Sequence, residues 1–81
     1  MRGGEIDVVA RRGSLLVVCE VKARASPAWG SPWEAMTPLK QQRVRRAGHA
    51  FVRGLGERGI RVRFDVAAVT GTRLEVMEDA F

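Results

Sequence analysis

The chemistry this sequence can offer sits near its N-terminus, in Glu5, Asp7, Glu20 and Lys22. Glu5 and Asp7 belong to an alternating segment, residues 5–10 (EIDVVA), and Glu20 and Lys22 end an almost unbroken apolar run, residues 15–22 (LLVVCEVK). Period-two alternation and a β-rich apolar run predict two strands, with the turn of a hairpin at residues 11–14 (RRGS). A two-residue turn at Arg12-Gly13 sets Asp7 opposite Val18 and Glu5 opposite Glu20. Asp7 and Glu20 are then diagonal neighbours about 7–8 Å apart at Cα. Two carboxylates so placed can converge on one hard divalent cation such as Mg²⁺. Lys22 points to the same face as Glu20, where an amine can orient or help deprotonate a water beside the cation. The plainer alternative for a Glu-x-Lys triplet is a solvated cross-strand charge pair. Against it stands location: these charges end the most apolar strand of the chain, where burial costs free energy unless they are paired or bind metal.

The remaining elements must hold that hairpin. Residues 23–36 (ARASPAWGSPWEAM) carry two prolines, a glycine and two tryptophans, which is loop composition. Trp29 and Trp33 can stack on bases or close the core of a very small protein, and the core is preferred for at least one. Thr37-Pro38 supplies a helix N-cap followed by proline at the first helical position. Val44, Ala47, Phe51 and Leu55 recur at spacings of three and four, so a helix runs to about Leu55, where Gly54, Gly56 and Gly59 end it. Strict alternation of Ile60, Val62, Phe64, Val66 and Ala68 predicts a third strand, and a turn at residues 70–72 leads to a short fourth strand over residues 74–77. The order is β-β-α-β-β, a mixed α/β sheet with one packed helix in a single domain, residues 1–81.

Lys40 falls on the helix face of Val44, close to the positive end of the helix dipole. A cation is unfavourable there, so its placement points to a phosphate or carboxylate partner, the alternative being a stem that snorkels to water. Gln41 lies beside it as a further donor to phosphate. Arg45, Arg46, His49 and Arg53 oppose the apolar stripe; a solvated helix face is preferred to a nucleic-acid track. Cys19 projects away from Glu20 as a buried, inert thiol.

Composition bounds these readings. With 81 residues the chain is one small domain, burying roughly 60–65% of its unfolded surface with net stability of about 5 kcal/mol. Hydrophobic residues at 46% and charged residues at 28% argue for a folded chain rather than a disordered one. No apolar run approaches the ~20 residues of a membrane span. Glu5 and Asp7 near the start argue against a signal peptide. One cysteine excludes an internal disulfide and one histidine a Cys/His zinc site, so a cytoplasmic protein is expected. The net charge is +5, and twelve of the fourteen basic residues are arginine. Its rigid fork of donors suits phosphate oxygens, which is compatible with a nucleic-acid partner.

Gly4-Glu5-Ile6-Asp7, followed by Glu20-Val21-Lys22 and Arg24, resembles the PD-(D/E)XK nuclease core. More narrowly it is similar to the YraN family of small bacterial proteins with a Holliday-junction-resolvase-like fold. Trp29-Gly30, Pro32 and Glu34-Ala35 resemble that family's loop, Thr37-Pro38 with Lys40 its helix start, Arg63-Phe64-Asp65-Val66 its third strand and Ala80-Phe81 its end. The resemblance implies that Asp7 and Glu20 ligate Mg²⁺ or Mn²⁺ with the backbone carbonyl of Val21 as a third ligand. Lys22 then positions the attacking water and stabilises charge on the phosphate, and Glu5 is a further ligand or stands behind the ligands. Arg24, Lys40 and Gln41 are the nucleic-acid-binding candidates. The implied function is metal-dependent hydrolysis of DNA phosphodiester bonds. The alternatives are a nucleic-acid-binding module of the same fold with little or no cleavage, and an interaction protein whose charges only solubilise it.

Members of that family begin with a helix, bearing an acidic residue, and an edge segment ahead of the GEID strand. Neither is among these 81 residues, so a truncated restriction-endonuclease-like core is expected. The one helix covers one face of the central strand, leaving the face where Leu16 and Val18 lead towards Glu20 open. The GEID strand is also an edge ready to pair. A symmetric homodimer is therefore expected, the competing outcome being a monomer whose Trp29–Trp33 loop folds over that face.

Overall fold

The computed structural model describes residues 6–24 and 36–81, with the side chain of Arg24 outside that set. Its elements are β1 (Val8–Arg12), β2 (Leu15–Arg24), α1 (Pro38–Leu55), β3 (Arg61–Thr70) and β4 (Arg73–Met77). The four strands form one sheet in the order β1-β2-β3-β4. β1 and β2 are antiparallel, β2 and β3 parallel, and β3 and β4 antiparallel. The parallel step follows from the helix between β2 and β3, because two parallel neighbours need a crossover. The β-β-α-β-β order and the mixed sheet read from the sequence are the observed architecture.

The first hairpin turns one residue later than expected. Arg12 pairs with Leu15, so the two-residue turn is Gly13-Ser14. Gly13 has φ 58°, the left-handed value that the first position of a type II′ turn requires. The register therefore slides by two, with Val9 across from Val18 and Val8 across from Cys19. A slide of two leaves every side chain on its expected face. It brings Asp7, one step beyond the Val8–Cys19 pair, across from Glu20 itself rather than diagonal to it.

Thr37 caps α1 as its sequence suggests, its Oγ1 accepting from the Lys40 N–H at 3.2 Å. Gly56, at φ 67°, closes the other end, its N–H donating to the Arg53 carbonyl at 3.2 Å. The helix buries Val44 and Gly48, with Val52 packed beside them, whereas Phe51 and Leu55 stay 37% and 36% exposed. The stripe is thus Val44–Gly48–Val52 rather than Val44–Ala47–Phe51–Leu55. Gly48 explains the rotation: a Cβ there would stand 2.8 Å from Phe64 Cε1 and 3.2 Å from Val18 Cγ2, so only glycine lets the helix settle this close. Arg45 and His49 consequently flank the core instead of opposing it. The Arg45 guanidinium lies 5.6 Å from the Phe81 ring centroid, and His49 meets Phe64 edge-on at 5.6 Å.

Leu16, Val18, Met36, Val44, Phe64 and Val66 form the buried core. Leu16, Val18 and Glu20 share one face of β2 and are all buried, so α1 covers the face expected to be open. On the opposite face Val8, Val21, Leu74 and Val76 are exposed, and among the described residues no helix lies over it. Cys19 is half-buried on that side, and burial first, then the charge of Asp65, pushes its thiol pKa up. Trp29 and Trp33 lie outside the described residues.

Candidate functional site

β2 and β3 run parallel, so their C-terminal ends open together beside the N-terminus of α1, where crevices of α/β sheets form. Glu20 sits there on β2, only 2% exposed. Its Oε1 lies 3.8 Å from Lys22 Nζ and 3.4 Å from Lys40 Nζ. Its Oε2 is buried and has no hydrogen-bond partner among the described residues. Asp7, exposed at the end of the neighbouring strand, is anchored through Oδ2, which accepts from the Val21 N–H at 2.9 Å.

These neighbours set the protonation balance. Burial first, and then the charge of Asp7, raises the Glu20 carboxyl above the usual carboxylate range, with Lys40 and Lys22 opposing. Burial, and then adjacent Lys40, lowers the Lys22 amine. Lys40, the more exposed amine, is raised, first by its hydrogen bond with Lys22 and then by Glu20. Of the two, Lys22 gives up a proton more readily, and Lys40 holds its charge.

A raised carboxyl pKa favours the protonated form in the folded state. In metal-free protein its stabilising contribution is complete below the ordinary carboxylate range and is lost as pH rises through the raised Glu20 value. Glu20→Gln is therefore expected to raise the Tm of the metal-free protein at pH 7 and to leave it little changed at mildly acidic pH. Thermal unfolding followed by circular dichroism in a chelator at the two pH values checks this. An equal loss of Tm at both would contradict it.

The structure brings Asp7, Glu20, Lys22 and Lys40 together. The carboxylate partner that the position of Lys40 implied is Glu20. Gln41 is engaged elsewhere, its amide donating to the Met36 carbonyl at 2.8 Å and fixing the approach to α1. Arg24 ends β2, with its side chain outside the described residues, and Glu5 lies outside them altogether. Among the described residues no three His, Cys, Asp or Glu side chains cluster as a metal-holding group. Among the described residues the donors at this point are the two carboxylates and the main-chain oxygens beside them, that of Val21 lying between Glu20 and Lys22 in sequence.

Asp65 is a second buried acid, 3% exposed, which no catalytic spacing in the sequence singles out. It lies opposite Cys19 on the face away from α1. Arg63 Nε and Nη2 and the Asp79 N–H all donate to its carboxylate, each at 2.9 Å. The signal was the Arg63-x-Asp65 spacing on an alternating strand, which puts both on one face. Both its oxygens are engaged by donors from the protein itself, which accounts for its burial without a ligand.

Fold and site together define a small mixed α/β protein with a carboxylate–amine cluster at the C-terminal ends of its parallel strands. The chain matches, over residues 1–69, the family described as Uncharacterised protein family UPF0102, and it belongs to that family. It is 41% identical over 85 residues to a UPF0102 protein of Geobacter sulfurreducens, covering 99% of this chain and 66% of the relative. A UPF0102 protein of Christiangramia forsetii is 37% identical over 81 residues, covering 95% of this chain and 67% of the relative. One of Kineococcus radiotolerans is 54% identical over 70 residues, covering 85% and 57%. The chain thus spans about two thirds of the length of these relatives or less. Among the described residues no helix is long and apolar enough to cross a membrane.

Proposed function

We propose that this protein is a metal-dependent, nuclease-like phosphodiesterase acting on DNA in the cytoplasm, with its site at Asp7, Glu20, Val21 and Lys22. The observation that carries the reading is Glu20: a buried carboxylate with one oxygen facing two amines and the other without a partner among the described residues. Such an atom costs free energy unless something positive completes it. A hard divalent ion fits that donor set, held by Asp7, Glu20 and the Val21 carbonyl, and Mg²⁺ or Mn²⁺ accepts these oxygens. When bound, the ion supplies positive charge to the scissile phosphate and acidifies nearby water. Lys22, with its lowered pKa, orients the attacking water and can take its proton as the bond from water oxygen to phosphorus forms and the ester bond to the leaving sugar oxygen breaks. Lys40 keeps its charge and meets the negative charge that develops on the phosphate.

Calorimetric titration with Mn²⁺ tests the site. Asp7→Ala and Glu20→Ala are each expected to abolish binding, and unchanged affinity in Glu20→Ala would remove the assignment. The second reading, a nucleic-acid-binding module without cleavage, is favoured by the net charge of +5 and by α1, which carries five Lys or Arg and no acid. Salt-dependent DNA binding with no cleavage of junction, flap or single-stranded substrates in Mn²⁺ selects it. A homodimer belongs to the same proposal, formed through the β1 edge or the face of Val8, Val21, Leu74 and Val76.

A further inference from the structure

We infer that the outer face of α1 is a docking surface for the phosphate backbone of duplex nucleic acid, laid along Arg43, Arg46 and Arg53. The inference rests on the nucleic-acid part of the preceding reading and not on cleavage. α1 has eighteen residues, and its sequence, PLKQQRVRRAGHAFVRGL, contains five Lys or Arg and no Asp or Glu. Arg43, Arg46 and Arg53 are exposed, on the side away from buried Val44 and Gly48. None of the three has an acidic partner among the described residues. Five acids elsewhere are matched: Glu57 with Arg11, Asp65 and Glu78 with Arg63, Glu75 with Arg73, and Glu20 with the two lysines.

Such a helix is electrostatically expensive. Arg43 and Arg46 are neighbours at i,i+3, and a like-charged pair at that spacing opposes helix formation. The first turn carries no acid, although acids are favoured there, and has Lys40 instead. A face meant only for solvation gains from mixed charges. A uniformly basic one gains from a polyanion. Lys40, Arg43 and Arg46 follow one another at three-residue steps, so the line of cations starts at the contact with Glu20 and climbs α1. From Arg43 to Arg53 it extends about 15 Å. A backbone lying along it is led into the Asp7–Glu20 site. An anionic membrane surface fits less well, because interfacial helices bury an apolar face in lipid, and the central apolar stripe of α1 is spent on the protein core.

The test compares two charge-matched double variants of the full 81-residue chain. R46Q/R53Q removes two cations from the strip. R12Q/R61Q removes two exposed cations that flank Leu15 on the opposite face of the sheet. Fluorescence anisotropy with a 20-base-pair duplex in chelator, from 50 to 200 mM salt, reads affinity and its salt slope. R46Q/R53Q is expected to lower the slope by about 1.8 and the affinity at 50 mM by about 10²-fold, while R12Q/R61Q keeps both near the unaltered values. Equal losses in the two variants, no loss in R46Q/R53Q, or an unaltered chain that binds phosphatidylserine vesicles or nothing instead of the duplex would overturn the inference. Unchanged Mn²⁺ affinity in R46Q/R53Q and a Tm equal to or slightly above that of the unaltered chain, from relief of the Arg43–Arg46 repulsion, are expected and confirm that fold and metal site are intact. Because the binding is read without metal, a chain that neither binds Mn²⁺ nor cleaves would refute the nuclease reading and leave this result standing.

Discussion

Lys22→Ala is expected to keep Mn²⁺ and DNA binding and to lower cleavage by about 10²-fold or more. The reason is the division of labour between two amines that share one carboxylate oxygen. Lys22 Nζ stands 3.8 Å from Glu20 Oε1 with its side chain 19% exposed, and Lys40 Nζ stands 3.4 Å away with its side chain 41% exposed. Burial and the neighbouring charge lower the pKa of Lys22, while Lys40 is held protonated. A group that exchanges a proton in the transition state changes the rate with little effect on ground-state affinity. A group that holds a phosphate as a fixed charge changes affinity and the salt slope. Lys40→Ala should therefore weaken DNA binding and reduce the slope by about one unit.

Arginine separates proton exchange from charge at the same position. Lys22→Arg retains the cation and cannot give up its proton near neutral pH. Single-turnover rates on a substrate the unaltered chain cleaves decide the matter. If Lys22 handles the proton, the arginine variant is as slow as the alanine variant, and both lack the rise in rate with pH expected of the unaltered chain. Recovery of most of the rate by arginine would assign Lys22 an electrostatic task only. Loss of Mn²⁺ affinity in Lys22→Ala would mean that the lysine serves the metal site's assembly and not the reaction.

The residues that were legible in the sequence are those whose type alone constrains the backbone or the neighbours. Thr37-Pro38 and Gly56 mark the ends of α1 because a cap, a fixed φ and a left-handed φ leave few other uses for them. The alternation through Phe64 and Val66 marks β3 for the same kind of reason. Register was not legible, since either Arg12-Gly13 or Gly13-Ser14 closes a two-residue turn, and the choice depends on which position takes the positive φ of Gly13. The buried stripe of α1 was misplaced because a search for apolar side chains passes over Gly48, whose contribution is the space it leaves for Phe64. At the site, Glu20 and Lys22 stood out as charges ending an apolar strand. Asp65 did not, since Arg63 beside it gives the segment the look of an ordinary surface strand.

The two buried acids should respond to substitution with opposite signs, and Asp65→Ala carries the largest expected loss of stability. Glu20 and Asp65 are almost equally buried, at 2% and 3% exposure. Hydrogen bonding separates them. Asp65 accepts two bonds from the Arg63 guanidinium and one from the Asp79 N–H, and beside it the Ala80 N–H donates to the Phe64 carbonyl at 2.7 Å. These bonds tie the C-terminal segment to β3 and hold Phe81 stacked on Phe64 with ring centroids 5.3 Å apart. Removing the carboxylate strands the Asp79 N–H and takes two hydrogen bonds from Arg63, whose 29% exposed side chain keeps water and Glu78, at 3.3 Å. The cost is then about 2–4 kcal/mol, below that of a fully buried pair. In a domain of this size that corresponds to a Tm lower by roughly 10–25 °C. Glu20 has an oxygen that accepts nothing from the described residues and a charge that burial opposes, so Glu20→Gln in chelator goes the other way at pH 7. Thermal unfolding of both variants beside the unaltered chain checks the contrast. A loss of Tm in both would make Glu20 a second structural acid and remove the main support for a cation site at the end of β2.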